Sequence, residues 1–414
     1  MENEKREETF KSRMNGIFKL ILKNIIPKLP EKIRWLVETE IDKLREIIME
    51  ARIPRFAIVG RRGSGKSSLI NAIFSNKVAA VGSVKSKTGL GKWYEYEDKK
   101  GKISILDTRG LGEGSIPDAK FEEKSVKEEV SASIDNNCPD ALLFLCKAKE
   151  VDARIDEDID SFFQIKSYIQ KKHSYNPPVV GVITQVDELD PPDVVDPPYK
   201  DAGKRKNIAS AKALLSRKLE NKFDDIIEVI PTSAYIRFSN GKIAYDRRWN
   251  IDKLVEYLIE RLPRSAQMEL ARITRVKSVQ KKMARVLIGS AAAIAGGVGL
   301  EPIPVADLPI ITSIQIGMIM GIGYISGREM NKKSAVEFMT SMGLNVGLSF
   351  VFRELARALV KLIPVAGNAA SGAVAAASTW GIGEAAITYF IDKKSPEEAK
   401  QIYEQEREKR QEEE

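Results

Sequence analysis

Gly60-Arg61-Arg62-Gly63-Ser64-Gly65-Lys66-Ser67 follows directly on the apolar run Phe56-Ala57-Ile58-Val59 and leads into a helical pattern that begins near Ser67. The spacing G-x-x-x-x-G-K-[ST] between a strand and a helix predicts a turn whose backbone must come close to an anion. Glycine supplies the left-handed conformations of such a turn and leaves no Cβ in the way. Successive N–H groups then face phosphate oxygens at the positive end of a helix. Lys66 adds a point charge between β- and γ-phosphates, and the Ser67 hydroxyl is placed to ligate Mg²⁺.

Outward from this stretch, further short apolar runs occur at 103–106, 141–145, 179–183 and 226–230. Helical patterns separate most of them, at Ser67–Phe74, 120–134, 156–172 and 202–223. That alternation predicts a mainly parallel sheet covered by helices, an α/β three-layer fold. Three of the strand ends carry polar residues. Asp107-Thr108-Arg109-Gly110 follows Ile103–Leu106, where a carboxylate can hold Mg²⁺ and the Gly110 N–H can meet a γ-phosphate. Thr184-Gln185-Val186-Asp187 follows Val179–Ile183, and a carboxylate there can accept both N1–H and the exocyclic amine of guanine. Thr232-Ser233-Ala234 follows the last strand, placed for a backbone N–H to meet guanine O6.

Composition narrows the alternatives. The chain has 414 residues, 43% hydrophobic and 30% charged, which fits two or three folded domains and excludes wholesale disorder. A formal charge of +8 permits nucleic acid or anionic lipid as partner and requires neither. Two cysteines, Cys138 and Cys146, and the single His173 cannot make a zinc cluster or a disulfide framework, so a reducing compartment is expected. The charged start, Met1 to Glu8, does not read as a signal peptide.

Two helices are predicted before the sheet, Phe10–Ile26 and Glu31–Ala51, split at Pro27 and Pro30. Beyond residue 285 the chain becomes apolar, with Leu308–Gly327 and Leu362–Gly383 free of charge. Ile303-Pro304-Val305-Ala306 with Gly321-Ile322-Gly323 recurs sixty residues later as Ile363-Pro364-Val365-Ala366 with Gly381-Ile382-Gly383, which predicts two related helical hairpins. The uncharged runs are long enough to cross a bilayer. Their Ala, Gly, Gln315 and Asn368 content favours close packing, and peripheral or shallow membrane association is expected over spanning. Between the regions, 264–285 carries seven basic residues (264, 272, 275, 277, 281, 282, 285) against Glu269, a net +6. Read as one helix, it suits either an anionic membrane surface or an ordinary solvated face. The tail from Lys393 reads as a solvated, partly frayed helix. His173, Trp93, Trp249 and Trp380 have no spacing that implies chemistry and are read as packing residues.

Over roughly residues 53–262 these motifs, in this order, resemble the GTPase superfamily, most closely the Era-like and immunity-related GTPases. The resemblance implies an α/β P-loop GTPase domain at 53–262. The helices at 1–52 join an apolar helical domain at 263–392, as in bacterial Era-like GTPases, and a charged tail spans 393–414. It implies GTP/GDP and Mg²⁺ as ligands. Nucleotide contacts then fall to Gly60, Gly63, Ser64, Gly65, Lys66, Ser67, Ser68, Thr184, Gln185, Asp187, Ser233 and Ala234, and metal contacts to Ser67, Thr88 and Asp107. Lys66, Thr88, Gly110 and Arg62 take the catalytic positions. Ser83 and Ser86 are alternative hydroxyls to Thr88, and Arg62 is either an internal arginine finger or a residue facing solvent or a partner, with Arg61 a weaker candidate for the finger.

Two departures stand out. Gln185 replaces the lysine that usually lies along the base, and Leu111 replaces the glutamine that orients water in Ras-like members, which implies slow intrinsic hydrolysis. The expected activity is hydrolysis of GTP to GDP and phosphate, with nucleotide state switching a helical domain that meets a membrane or self-assembles. A homodimer through the GTPase domain and an anionic membrane surface are the expected partners, on the cytoplasmic side. The alternatives are a ribosome- or RNA-associated Era-like GTPase and a non-hydrolysing nucleotide-sensing scaffold. No RNA-binding signature is visible, and nucleic acid is not expected.

Overall fold

The structure, a computed structural model, describes residues 2–24, 26–78, 92–98, 101–108, 123–153, 155–223, 227–240, 242–274, 276–299, 307–328, 338 and 371–412. The chain divides into two compact units, one formed by 53–266 with 273–275, the other by 1–52, 267–272 and 276–414.

The first unit is an α/β layer structure. Its strands are β1 (Arg55–Val59), β2 (Lys92–Asp98), β3 (Gly101–Asp107), β4 (Ala141–Lys147), β5 (Val179–Thr184) and β6 (Glu228–Pro231), in the order β2-β3-β1-β4-β5-β6. All pairs are parallel except β2 with β3. The apolar runs read from sequence are the buried strands, because a parallel sheet covered on both faces excludes water from every side chain. Strand β2 was not among them. Its sequence, Lys-Trp-Tyr-Glu-Tyr-Glu-Asp, alternates charge with aromatics and occupies an edge, pairing Tyr94 with Ile105 and Tyr96 with Ile103. Around the sheet lie α3 (Lys66–Phe74), α4 (Glu123–Asn136), α5 (Asp156–His173), α6 (Ala202–Glu220) and α7 (Ile251–Arg261). A small hairpin, β7 (Ile236–Ser239) with β8 (Lys242–Asp246), precedes α7. The core includes a ring cluster in which Phe162 stands 5.3 Å from Phe144 and 5.6 Å from Phe223. Trp93 and His173 act in packing, donating Nε1–H to Ser133 O and placing Nε2 2.9 Å from Ile134 O respectively.

Among the described residues the second unit is helical, and it is built from both ends of the chain: α1 (Glu2–Asn24), α2 (Glu31–Ile48), α9 (Lys277–Gly299), α10 (Asp307–Ile325), α11 (Ser371–Ala386) and α12 (Pro396–Glu412), with residues 267–272 of α8 (Arg264–Ile273). Helix α9 packs against α2, α10 and α11, and α11 packs against α12. Glycines set these approaches. A Cβ on Gly297 would stand 2.8 Å from Val37 Cγ2, and one on Gly383 would stand 2.4 Å from Ile288 Cγ1. Buried polar groups pair with each other. Tyr324 donates to Glu269 at 2.6 Å, Arg272 Nη1 donates to Tyr324 Oη at 2.7 Å, and Gln315 Nε2 donates to Thr379 Oγ1 at 3.0 Å.

Two expectations for this region are revised. The basic stretch 264–285 is two helices, α8 and α9, not one, and its Arg272 pairs with Glu269, Lys281 with Asp392 and Arg285 with Glu384. The C-terminal helix is docked instead of frayed, since Ala399 and Tyr403 are buried and the Arg410 guanidinium lies 3.6 Å from the Trp380 ring centroid. Among the described residues no helix is long and apolar enough to cross a membrane. The Ile-Pro-Val-Ala segments at 303–306 and 363–366 lie outside the described residues.

Candidate nucleotide site

The carboxyl ends of the parallel strands line one edge of the sheet, the side on which open α/β folds bind ligands. Pairing sets Ile58 against Asp107, Val59 against Phe144 and Lys147 against Thr184. The turn after β1 therefore leaves the sheet between the ends of β3 and β4.

In that turn Gly63 and Gly65 have φ of 77° and 86°, a region that a Cβ disfavours. Gly60 is required for a different reason: a Cβ there would stand 2.7 Å from Leu145 O and 2.8 Å from Ser64 Oγ. Gly65 precedes α3 in the N-cap position, and no side chain caps the helix. The first-turn N–H groups, which cannot be satisfied within a helix, are thus directed into the turn, where an anion can take them. Lys66 Nζ donates to the carbonyls of Gly60 and Arg61, which stations the ammonium across the loop. Ser64 Oγ is buried with no hydrogen-bond partner among the described residues, the state of a polar atom built for a ligand. Ser67 and Ser68 follow in the first turn of α3, partly exposed.

For a metal, the residues present are the Ser67 hydroxyl and the Asp107 carboxylate, hard oxygen donors of the kind Mg²⁺ takes. Asp107 is buried at the end of β3. Thr88 and Gly110, with Ser83, Ser86 and Leu111, lie outside the described residues. The two arginines of the loop part company. Arg61 Nε donates to Asp158 Oδ2 at 2.7 Å, tying the loop to α5, whereas Arg62 is exposed.

The base-reading segments are fastened to this loop. Thr184 Oγ1 donates to Ser64 O at 2.8 Å, and Gln185 Nε2 donates to Gly63 O at 3.1 Å. Gln185, at φ 58°, therefore spends its amide on the phosphate loop. Val186 N–H donates to Thr232 O at 3.3 Å and Thr232 N–H to Ile183 O at 2.6 Å, which holds the segments after β5 and β6 side by side. The Ser233 N–H donates to Trp249 O at 3.2 Å. Ala234 carries the N–H of this trio that is not spent within the described residues. The Asp187 carboxylate is half-buried and makes no hydrogen bond to the described residues, although its carbonyl does.

Sequence reasoning missed Lys204, Arg248 and Asp158. Arg248 Nη1 donates to Ala72 O at 3.0 Å and to Ser75 Oγ, drawing the segment after the hairpin onto the end of α3. Lys204 is fully buried, and burial lowers its pKa from the usual lysine value while Asp187 and Asp190 oppose the shift. Burial, reinforced by Asp187, pushes the Tyr199 hydroxyl up to about 12, and burial pushes the Cys146 thiol up to about 12. None of these carries a signal in isolated sequence, because each depends on which segment covers the residue.

Strand order, the glycine turn and the polar strand ends define a P-loop GTPase fold joined to a helical region. Residues 55–185 match the family described as 50S ribosome-binding GTPase, and residues 264–412 match a domain of unknown function, DUF697. The chain is 24% identical over 245 residues to the protein YkfA of Escherichia coli (strain K12), covering 59% of this chain and 74% of YkfA. It is 39% identical over 64 residues to the probable GTP-binding protein EngB of Mycoplasma genitalium, covering 16% of this chain and 31% of EngB. Against the GTPase Der of Streptococcus suis it is 29% identical over 140 residues, 33% of this chain and 28% of Der. Among solved structures, Toc33 from Arabidopsis thaliana in complex with GDP and Mg²⁺ is 17% identical with a TM-score of 0.33, covering 61% of this chain and 94% of that one. The chain thus carries a GTP-binding GTPase domain followed by a helical region.

Proposed function

We propose that this protein hydrolyses GTP slowly, and that nucleotide state switches a helical domain that meets an anionic membrane surface or a second copy of the chain. The observation that carries the reading is the fastening of Thr184 and Gln185 to Ser64 and Gly63, which joins a base-reading segment to a phosphate loop whose Ser64 hydroxyl is unspent. In this reading the N–H groups of Gly63 and of Gly65 to Ser68, with the Lys66 ammonium, hold the phosphates. Asp187 takes N1–H and the exocyclic amine of guanine, and the Ala234 N–H donates to O6. Bound Mg²⁺ would neutralise charge on the β- and γ-phosphate oxygens, with Ser67, Asp107 and Thr88 as the residues to hold it. Arg62, exposed in the loop, is the candidate to meet the γ-phosphate. Leu111 has no group to orient water, which is why the rate in dilute protein is expected to be low.

Phosphate release from GTP is the test, measured across protein concentration, with and without Mg²⁺, and with and without vesicles of anionic lipid. Mg²⁺-dependent release that rises with concentration or with vesicles supports the reading. A fast rate independent of both overturns the switching part, and no release under any condition overturns the catalytic part. The match of residues 55–185 to a ribosome-binding GTPase family supports a second reading, docking on a ribosomal particle; nucleotide-dependent co-sedimentation with ribosomes in place of vesicles would favour it.

A further inference from the structure

Lys204 is an anomaly of the α/β unit. It is 0% exposed. It sits in the first turn of α6, where Asp201 caps the helix by accepting the Lys204 N–H at 2.7 Å and where a cation opposes the helix dipole. A buried ammonium is costly unless its protons are all taken. Its protons go to carbonyls: Asp187 O at 2.7 Å, Leu189 O, and Pro191 O at 3.4 Å. Its Nζ also lies 5.6 Å from the Tyr199 ring centroid. No carboxylate among the described residues forms an ion pair with it.

These acceptors share one property: they are the alternate carbonyls of the segment that begins at Asp187. That segment is a short 3-10 turn (Val186–Glu188) followed by an irregular Pro-rich stretch, with no ladder to fix it. Asn207 Nδ2, one turn further along α6, donates to Asp190 O at 3.0 Å, so α6 grips the same stretch twice. The far end is tied separately, by Asp196 to Arg247 Nε at 2.5 Å and to Tyr245 Oη at 2.9 Å.

We infer that Lys204 is the positioning residue for guanine recognition: its ammonium clamps the 187–191 backbone so that the Asp187 carboxylate presents both oxygens to the base edge. The inference rests on the reading that Asp187 takes guanine. A carboxylate fixed in two directions accepts two donors, whereas one on a loose turn keeps one at most. Guanine offers N1–H and an exocyclic amine; hypoxanthine offers N1–H alone. The clamp therefore acts on the preference for GDP over IDP, and a loss of folding would weaken both nucleotides by the same factor.

The experiment measures Kd for GDP, IDP and ADP with the full chain, for wild type, Lys204→Met and Lys204→Arg. Lys204→Met keeps the volume and removes the donors; the GDP-over-IDP preference is expected to fall about five-fold, the worth of one hydrogen bond. Lys204→Arg restores donors and should recover at least half of that loss. Equal weakening of GDP and IDP in Lys204→Met, or no change in either, overturns the inference. If Lys204→Met does not fold, the ratio is read in Lys204→Gln, where a wild-type preference overturns it and a reduced one supports it. Failure of the underlying reading shows separately, in wild type binding ADP and IDP as tightly as GDP.

Discussion

Glycine does opposite work in the two units. In the turn 60–65 it allows φ values of 77° and 86° and leaves space beside a buried, unpartnered Ser64 hydroxyl. In the helical unit, Gly297, Gly321 and Gly383 are ordinary helical residues whose missing Cβ is replaced by Val37, Leu287 and Ile288 at under 3 Å. The polar residues divide the same way. Around the turn, Asp187 and Ser64 keep hydrogen-bonding capacity in reserve, whereas Glu269, Arg272 and Tyr324 pair with one another and Gln315 Nε2 with Thr379, although Arg272 Nε and Gln315 Oε1 are buried without a partner among the described residues. Held-back capacity beside strained backbone marks where a ligand goes; paired polar groups between close helices mark a scaffold.

The sharpest way to break this contrast is Arg272→Ala. Removing one member of the buried pair strands the Glu269 charge, and unfolding in urea should show about 3–5 kcal/mol lost. GDP affinity of the folded protein should be unchanged, and a weakened affinity would show that the scaffold takes part in binding. Lys66→Ala is the mirror experiment. It deletes a cation that folding does not need, so the thermal midpoint without nucleotide should move little while GDP affinity falls about 100-fold, the worth of charged hydrogen bonds to phosphate. Gly297→Ala sharpens the packing half. Its new methyl would stand 2.8 Å from Cγ2 of the buried, β-branched Val37, which has little room to give, and a cost of about 1–3 kcal/mol is expected in the same unfolding assay.

The smallest effect concerns pH. The Cys146 thiol, raised to about 12 by burial, binds its proton more tightly folded than unfolded. Its contribution to stability is therefore complete below the unfolded thiol value near about 8.5 and is lost as pH climbs toward 12. Alkylation at pH 8.5 should mark Cys138, which is partly exposed, well before Cys146. Cys146→Ala should flatten the decline of stability above pH 8.5.

Much of the α/β unit was legible in sequence because apolar runs of four or five residues bounded by turn residues have few fates other than buried strands, and the glycine-lysine spacing allows few other turns. Strand β2 was hidden because an edge strand alternates, and Lys92–Asp98 carries four charges in seven residues. The hairpin β7–β8 was hidden by its brevity. The basic stretch misled because charge was counted along the chain, while Arg272, Lys281 and Arg285 find carboxylates from Glu269, Asp392 and Glu384 through tertiary packing. Lys204 stands among Ala-Gly-Lys-Arg-Lys, and nothing local separates the buried lysine from its exposed neighbours Arg205 and Lys206. Nor does anything local show that the Ser233 N–H goes to Trp249, sixteen residues on.

The account stands most directly on the Asp187 carboxylate, half-buried and unspent beside a phosphate loop. Calorimetric titration of the full chain with GDP and ADP, wild type against Asp187→Asn, tests it. The expected result is a GDP preference of several hundred-fold in wild type, on the order of two charge-assisted hydrogen bonds, that collapses in Asp187→Asn. Equal binding of ADP and GDP by wild type, or a GDP affinity unchanged by Asp187→Asn, would contradict it.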